Sequence, residues 1–429
     1  MYTWVISVSK GFGLAPFNQD QPVASCVDFI LMIIFPIGYI ACFIYVFSWS
    51  DDLPLIQNCP TICASGHFLF IELGMFMFFW SFVLNLMKRR FYIDFDRAID
   101  DIKHELVKCN PKLALKQVKN RKVKIATAIA VGVVFSTGMI FDGYNMFQML
   151  GITFPFVSIA YGFPFWIGCL VQIQFIAFIN VVAEHFEWLN EVLEQICEEC
   201  DKQKSYKFKL FDIQTDFIQK STLKKLEVGK KPKEQEKQEE DDEPQHTERY
   251  LVNVFRIHNR LYQTGVVINR AYAVQIVSYM TVAFVIIVFG IFLETKVIFL
   301  VGGINKYLDY MAHSYALWAL SLSIVAYIVL RLCCRVQREA KRSALLVHEI
   351  MQRKPAFMLG NDIYYNRMKC FTLQYLHWEN YFHFNGLGLF RLDYTFIFSA
   401  ISAATSYLIV LLQFDLTSEI TKHEGKLDD

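Results

Sequence analysis

The chain has 429 residues, 54% of them hydrophobic, 16% aromatic and only 19% charged, which is not the composition of an ordinary soluble enzyme. Its formal net charge of +1 gives no reason to expect a nucleic-acid partner. The apolar residues fall in blocks of about 20, long enough to cross hydrocarbon as helices. Backbone amides in lipid must be satisfied within each segment, so the fold class is an all-α polytopic membrane protein with seven transmembrane helices.

Residues 1–27 form the N-terminal segment, and no cationic stretch leads an apolar run toward a cleavage site, so no signal peptide is expected. Residues 28–335 hold the first six crossings and their loops. The first crossing, Phe29–Trp49, carries no charge, and the second, Phe68–Met87, carries only Glu72. Cys59 and Cys63 lie between them, where either a disulfide or two free thiols is chemically permitted. Twelve Lys and Arg residues run from Lys88 to Lys124, ahead of the third crossing, Ile125–Phe141. The fourth, Phe154–Ala183, continues into "EHFEWLNEVLEQICEE", which sets Phe186, Leu189, Val192, Leu193 and Ile196 at helical spacing.

Residues 222–250 are highly charged with almost no apolar content, the signature of a disordered linker. "YLVNVFRIHNRLYQTGVVI" then leads amphipathically into the fifth crossing, Ala271–Leu293. The sixth, Tyr315–Leu330, runs on as "RVQREAKRSALLVHEIMQ". Residues 336–390 are expected to form cytoplasmic anchor helices, including an amphipathic piece over Tyr364–Phe384. Such an anchor can hold subunits together or pack within one subunit. Residues 391–414 contain the seventh helix, and 415–429 a short acidic tail.

The charge alternation orients the chain. Basic residues follow the second, fourth and sixth crossings, whereas the other loops are short and nearly free of Lys and Arg. The positive-inside rule then places the N-terminus in the cytoplasm and the C-terminus outside. That is opposite to a G-protein-coupled receptor, the seven-helix alternative, and no acidic-Arg signature ends the third crossing. No phosphate loop and no His-Glu-x-x-His occurs, which argues against an enzyme, and no cofactor is implied.

The seventh helix carries a polar stripe. Ser399, Ser402, Ser406, Ile409 and Gln413 follow spacings of 3, 4, 3 and 4 and share one face. Small hydroxyl residues on one stripe fit either close packing against another helix or the wall of a water-filled path. A ring of identical helices about a symmetry axis would enclose such a path.

A second group lies in the outer halves of the second to sixth crossings. Glu72 and Asp142 are ionisable residues at membrane depth, where charge is costly and functional roles are common. Asn145, Trp166, Tyr310, His313, Ser314 and Trp318 add amide, imidazole, hydroxyl and aromatic groups at helical spacings. Aromatic faces combined with hydrogen-bonding groups suit sugars. Interfacial anchoring by Tyr and Trp is the other explanation for the aromatics.

The sequence "SYLIVLLQF", Ser406 to Phe414, resembles the C-terminal signature of the insect gustatory receptors: Thr-Tyr, five apolar residues, Gln-Phe. Ser406 stands where that signature has Thr and keeps the hydroxyl. The resemblance extends to the seven crossings, the long fourth-to-sixth helices and the "GLGLF" lead-in at Gly386–Phe390 followed by Asp393. It implies a ligand-gated, non-selective cation channel in the plasma membrane of sensory neurons, opened by a small-molecule tastant and passing permeant cations. It further implies a homotetramer, or a heteromer with related receptors, surrounded by membrane lipids. The seventh helix would line the pore, Gln413 and Phe414 would form the outer gate, and the ligand would sit toward the outer ends of the other helices. The opening "VSKGFGLAPFN", Val8–Asn18, is similar to the fructose-sensing branch, which ranks a sugar such as fructose ahead of a bitter compound.

Overall fold

A computed structural model describes residues 2–14, 26–48, 61–110, 140, 143–144, 154–224, 242–299, 306–353, 369–370, 373 and 383–425. The helices are α1 (Tyr2–Gly11), α2 (Cys26–Ser48), α3 (Thr61–Met87), α4 (Arg89–Cys109), α5 (Phe154–Lys224), α6 (Asp242–Phe299), α7 (Lys306–Arg353) and α8 (Tyr394–Gly425). A two-stranded hairpin, β1 (Asn385–Gly386) and β2 (Phe390–Arg391), precedes α8. Among the described residues, five helices are long and apolar enough to cross a membrane, or six if the bent α3–α4 pair forms one span. The third expected crossing, Ile125–Phe141, lies outside the described residues apart from Ile140, as do residues 225–241 of the linker and most of Tyr364–Phe384.

Three helices dominate. At a rise of 1.5 Å per residue, α5, α6 and α7 are about 105, 85 and 70 Å long, far beyond the roughly 30 Å of hydrocarbon. Their projecting halves bury the apolar stripes seen in the sequence. Phe186, Leu189, Val192, Leu193 and Ile196 of α5 are buried with Val254, Ile257 and Leu261 of α6 and Val336, Ala340 and Val347 of α7. Within one chain, then, the stripes pack on each other. Polar ties fix the register: Asn190 donates to Glu339 through its backbone oxygen at 3.0 Å and its carboxylate at 3.1 Å, and Ser343 donates to Asn190 at 2.5 Å. Arg335 pairs with Glu187 at 2.6 Å, and Arg342 with Glu194.

The basic stretch after α3 is more ordered than its charge indicates. The chain bends by 60° near Lys88 and continues as α4. Tyr92, Phe95, Ile99, Ile102 and Leu106 recur at spacings of 3 and 4 and are all buried, so α4 lays one apolar face against α5 and α6. Arg260 reaches back to Glu105 at 3.3 Å.

The GLGLF segment is a tight hairpin. Gly386 pairs with Phe390, and Leu387 and Gly388 take left-handed conformations with φ of 53° and 79°. The Asn385 side chain accepts the Gly388 N–H at 2.9 Å, while the Asn385 N–H donates to Asn269 of α6 at 3.2 Å. Asp393 then caps α8, accepting the Thr395 N–H at 2.9 Å. Hairpin and cap together deliver the chain into α8 at a fixed angle against α6. Cys333 is fully buried in α7 and Cys334 half-buried.

Candidate functional site

α8 rests on α6 along one face. Ile397, Leu408 and Leu411 are half-buried against the core and Asp415 is buried, with Ala404 on the same side. The polar stripe occupies roughly the opposite side of the helix at 100° per residue. Ser399, Ser402, Ser406, Ile409 and Gln413 are all exposed in the single chain, as is Phe414. The stripe therefore faces away from its own subunit. Ser399 donates to the Thr395 carbonyl at 3.2 Å and Ser406 to that of Ser402 at 3.1 Å. These hydroxyls are satisfied within their own helix, and their remaining lone pairs can accept from water.

One turn detail was not foreseen. Asp415, directly after Gln413 and Phe414, points inward and pairs with Lys296 in the last turn of α6 at 2.6 Å, with both side chains almost wholly buried. Lys296 also lies 5.7 Å from the Phe292 ring centre. The pair fastens the Gln413 end of α8 to α6 and removes Asp415 from the exposed stripe. Lys296 read in the sequence only as a basic residue at a span end.

The residues proposed for ligand contact are more scattered. Trp318 of α7 is buried and meets Phe165 of α5 with ring centres 5.5 Å apart. Trp166, the next residue along α5, is half-buried, and its indole N–H is enclosed without a hydrogen-bond partner among the described residues. Ser314 is half-buried. His313 is exposed, with Nδ1 2.8 Å from the Asp309 carbonyl oxygen and 3.5 Å from its carboxylate. Glu72 is exposed on α3. Asp142, Asn145 and the side chain of Tyr310 lie outside the described residues. The structure thus brings Trp318 and the α5 aromatics together, while Glu72 and His313 stand on the surface of the single chain.

A buried polar cluster at the α3–α4 bend was also missed. The Lys88 ammonium donates to Asn85 at 3.2 Å and to Gln275, and sits 3.3 Å from the Tyr272 ring centre. Tyr92 and Tyr272 each donate to Gln174 at 3.3 Å. The cation is held by amide oxygens and a ring face instead of a carboxylate. Its sequence signal was weak, because a lysine ending an apolar span ordinarily reaches out to water.

A family model described as 7tm Chemosensory receptor matches residues 5–418. The chain is similar to gustatory and pheromone receptor 33a of Drosophila melanogaster, at 37% identity covering 97% of this chain and 98% of that protein. Its fold resembles that of the insect olfactory receptor OR5 from Machilis hrabei. The TM-score is 0.65 at 12% identity, over 96% of this chain and 97% of the other. With apolar helices that span a membrane, a C-terminal gustatory signature and these whole-length likenesses, the chain belongs to the insect gustatory receptors, a family of multi-pass membrane chemoreceptors and not of enzymes.

Proposed function

We propose that the protein is a ligand-gated, non-selective cation channel, assembled as a tetramer with α8 of each subunit around a central pore. The observation that carries this reading is the direction of the α8 stripe. A helix with an exposed row of hydroxyls and an amide, set opposite the face it packs on, has no role inside its own subunit. Four such helices about an axis would enclose a path lined by Ser399, Ser402, Ser406 and Ile409. Gln413 and Phe414 then close it at the mouth by dewetting, and no carboxylate ring faces the path to sharpen selectivity.

The tastant docks toward the outer ends of α3, α5 and α7, where the Trp166 N–H, without a partner among the described residues, supplies a donor beside the Trp318–Phe165 aromatics. Residues Glu72, Asp142, Asn145, Tyr310, His313 and Ser314 complete the proposed surface. Fructose is the first ligand to test, on the N-terminal likeness. A second reading, a bitter or pheromone-like organic molecule, is favoured by whole-length similarity to a receptor named for gustation and pheromones.

The deciding experiment expresses the protein alone in oocytes and applies sugars, bitter compounds and apolar odorants in turn. A rapid evoked cation current without added G protein is expected, and Gln413→Ala should raise basal leak several-fold. A response that needs a G protein, or a Gln413→Ala variant with unchanged leak and gating, would overturn the pore assignment.

A further inference from the structure

Between α6, α7 and the first third of α8 lies a crevice of about 320 Å³, at the lower end of the size range of small-molecule sites. It exists because small residues coincide at one level: Ala283 on α6, Ala326 on α7, and Ala400 and Ala404 on α8. Aromatic contacts bracket it. Phe390 meets Phe396 at 4.6 Å near the start of α8, and Phe284 meets Tyr407 edge-on at 6.0 Å further along. The Phe284–Tyr407 contact joins α6 to α8 beyond one end of the crevice, while the Phe390–Phe396 contact joins the hairpin to α8 at the other.

The chemistry of the wall selects the occupant. No lining residue is charged, and the Ser323 hydroxyl already donates to the Ala319 carbonyl at 2.6 Å. Such a cavity offers water too few partners and holds apolar matter instead. All three helices are at their membrane-spanning level here, and the rim residues Tyr327 and Ile401 are exposed on the single chain. The crevice thus opens sideways, behind α8, on the face turned away from the polar stripe.

We infer that this crevice takes up an acyl chain of a bilayer phospholipid, which wedges between α6, α7 and the first third of α8 and sets how far that part of α8 leans toward its own subunit. The site is separate from the proposed tastant surface, and its occupancy can be read without assuming that α8 lines a pore.

The full-length protein is reconstituted into nanodiscs of phosphatidylcholine carrying a diazirine on one acyl chain, irradiated, and digested for mass spectrometry. The expected result is adducts on the crevice-lining segments at several-fold the yield on the lipid-facing side of α2, where Ile37 and Ile44 are exposed. Ala283→Leu and Ala400→Leu, which fill the crevice from opposite walls, should reduce crevice adducts to the α2 level while leaving α2 labelling unchanged. Crevice labelling no higher than on α2 would overturn the inference, as would labelling indifferent to both substitutions. Efficient disulfide-linked dimer from Ala404→Cys would also overturn it, because a second copy of the chain would then fill the space. The wild-type labelling pattern decides even where a filling variant fails to fold.

Discussion

At the scale of single residues, the ion pair between Lys296 and Asp415 has the sharpest consequence. Two charges taken out of water are compensated chiefly by each other, so removing one leaves the other buried without its counter-ion at a cost of about 3–5 kcal/mol. Asp415→Asn is expected to lower the thermal unfolding temperature of the purified receptor and to loosen the last turns of α8. The double substitution Lys296→Met with Asp415→Leu should restore much of that stability, because an apolar pair of similar volume avoids the desolvation cost. Fluorescence-detected size exclusion after heating would measure both. A second case is Gly386, where an added Cβ would come within 2.6 Å of the Phe390 ring and 2.8 Å of Val277. Gly386→Ala should cost about 1–3 kcal/mol through overpacking, observed as early loss of the monodisperse peak in the same assay. Neither effect could be read from the sequence. Lys296 and Asp415 are 119 positions apart, and the space around a glycine depends on which helix lies over it. The glycines of GLGLF and Asp393 entered the sequence reading only through the family resemblance, and their turn and cap became visible in the structure.

At the scale of elements, the long helices were legible because their apolar stripes keep helical spacing well past the membrane-spanning length. The projecting stripe of α5, from Phe186 to Ile196, is buried as its periodicity required. α4 was not read, although its signal was present. Tyr92, Phe95, Ile99, Ile102 and Leu106 form a clean amphipathic series inside a stretch whose dense positive charge marks it equally well as a loop. Its structural weight can be tested. Ile102 is fully buried, so Ile102→Ala should destabilise the receptor by about 2–5 kcal/mol, while a substitution at exposed Lys108 should change little. Equal stability of the two variants in thermal unfolding would show that α4 is peripheral. The polar cluster at Lys88 illustrates what spacing cannot convey. The bend there brings Gln275 and Tyr272 of α6 onto the lysine, and that encounter belongs to tertiary packing alone.

At the scale of the whole molecule, α8 is the least covered of the spans among the described residues, with none of its apolar window buried inside the single chain. Phe398, Ile401, Tyr407, Ile409 and Phe414 are exposed on it, a surface that lipid, neighbouring subunits and a pore would share in the proposed assembly. The helical wheel located the stripe from sequence, but only the contact with α6 shows which way it points. The pore proposal then separates adjacent positions. Ile409→Cys should be modified by a small, charged thiol reagent with a fall in evoked current, whereas Leu408→Cys, half-buried toward α6, should react far more slowly. Similar modification rates at the two positions would remove α8 from the pore wall.

The hydroxyls of Ser399 and Ser406, each bonded to a carbonyl of its own helix, bear on how the proposed assembly would move. Were they bonded across to neighbouring helices, every widening of a fourfold ring would have to break a set of interhelical bonds together, and opening would be abrupt and stiff. Because Ser399 and Ser406 close their bonds locally, adjacent α8 helices of the proposed ring would slide or tilt apart without breaking these two bonds. In the proposed pore the resistance to opening would then be mainly the work of wetting a narrow apolar throat. That work falls gradually with radius, so small displacements are enough for a weakly bound ligand to tip the balance.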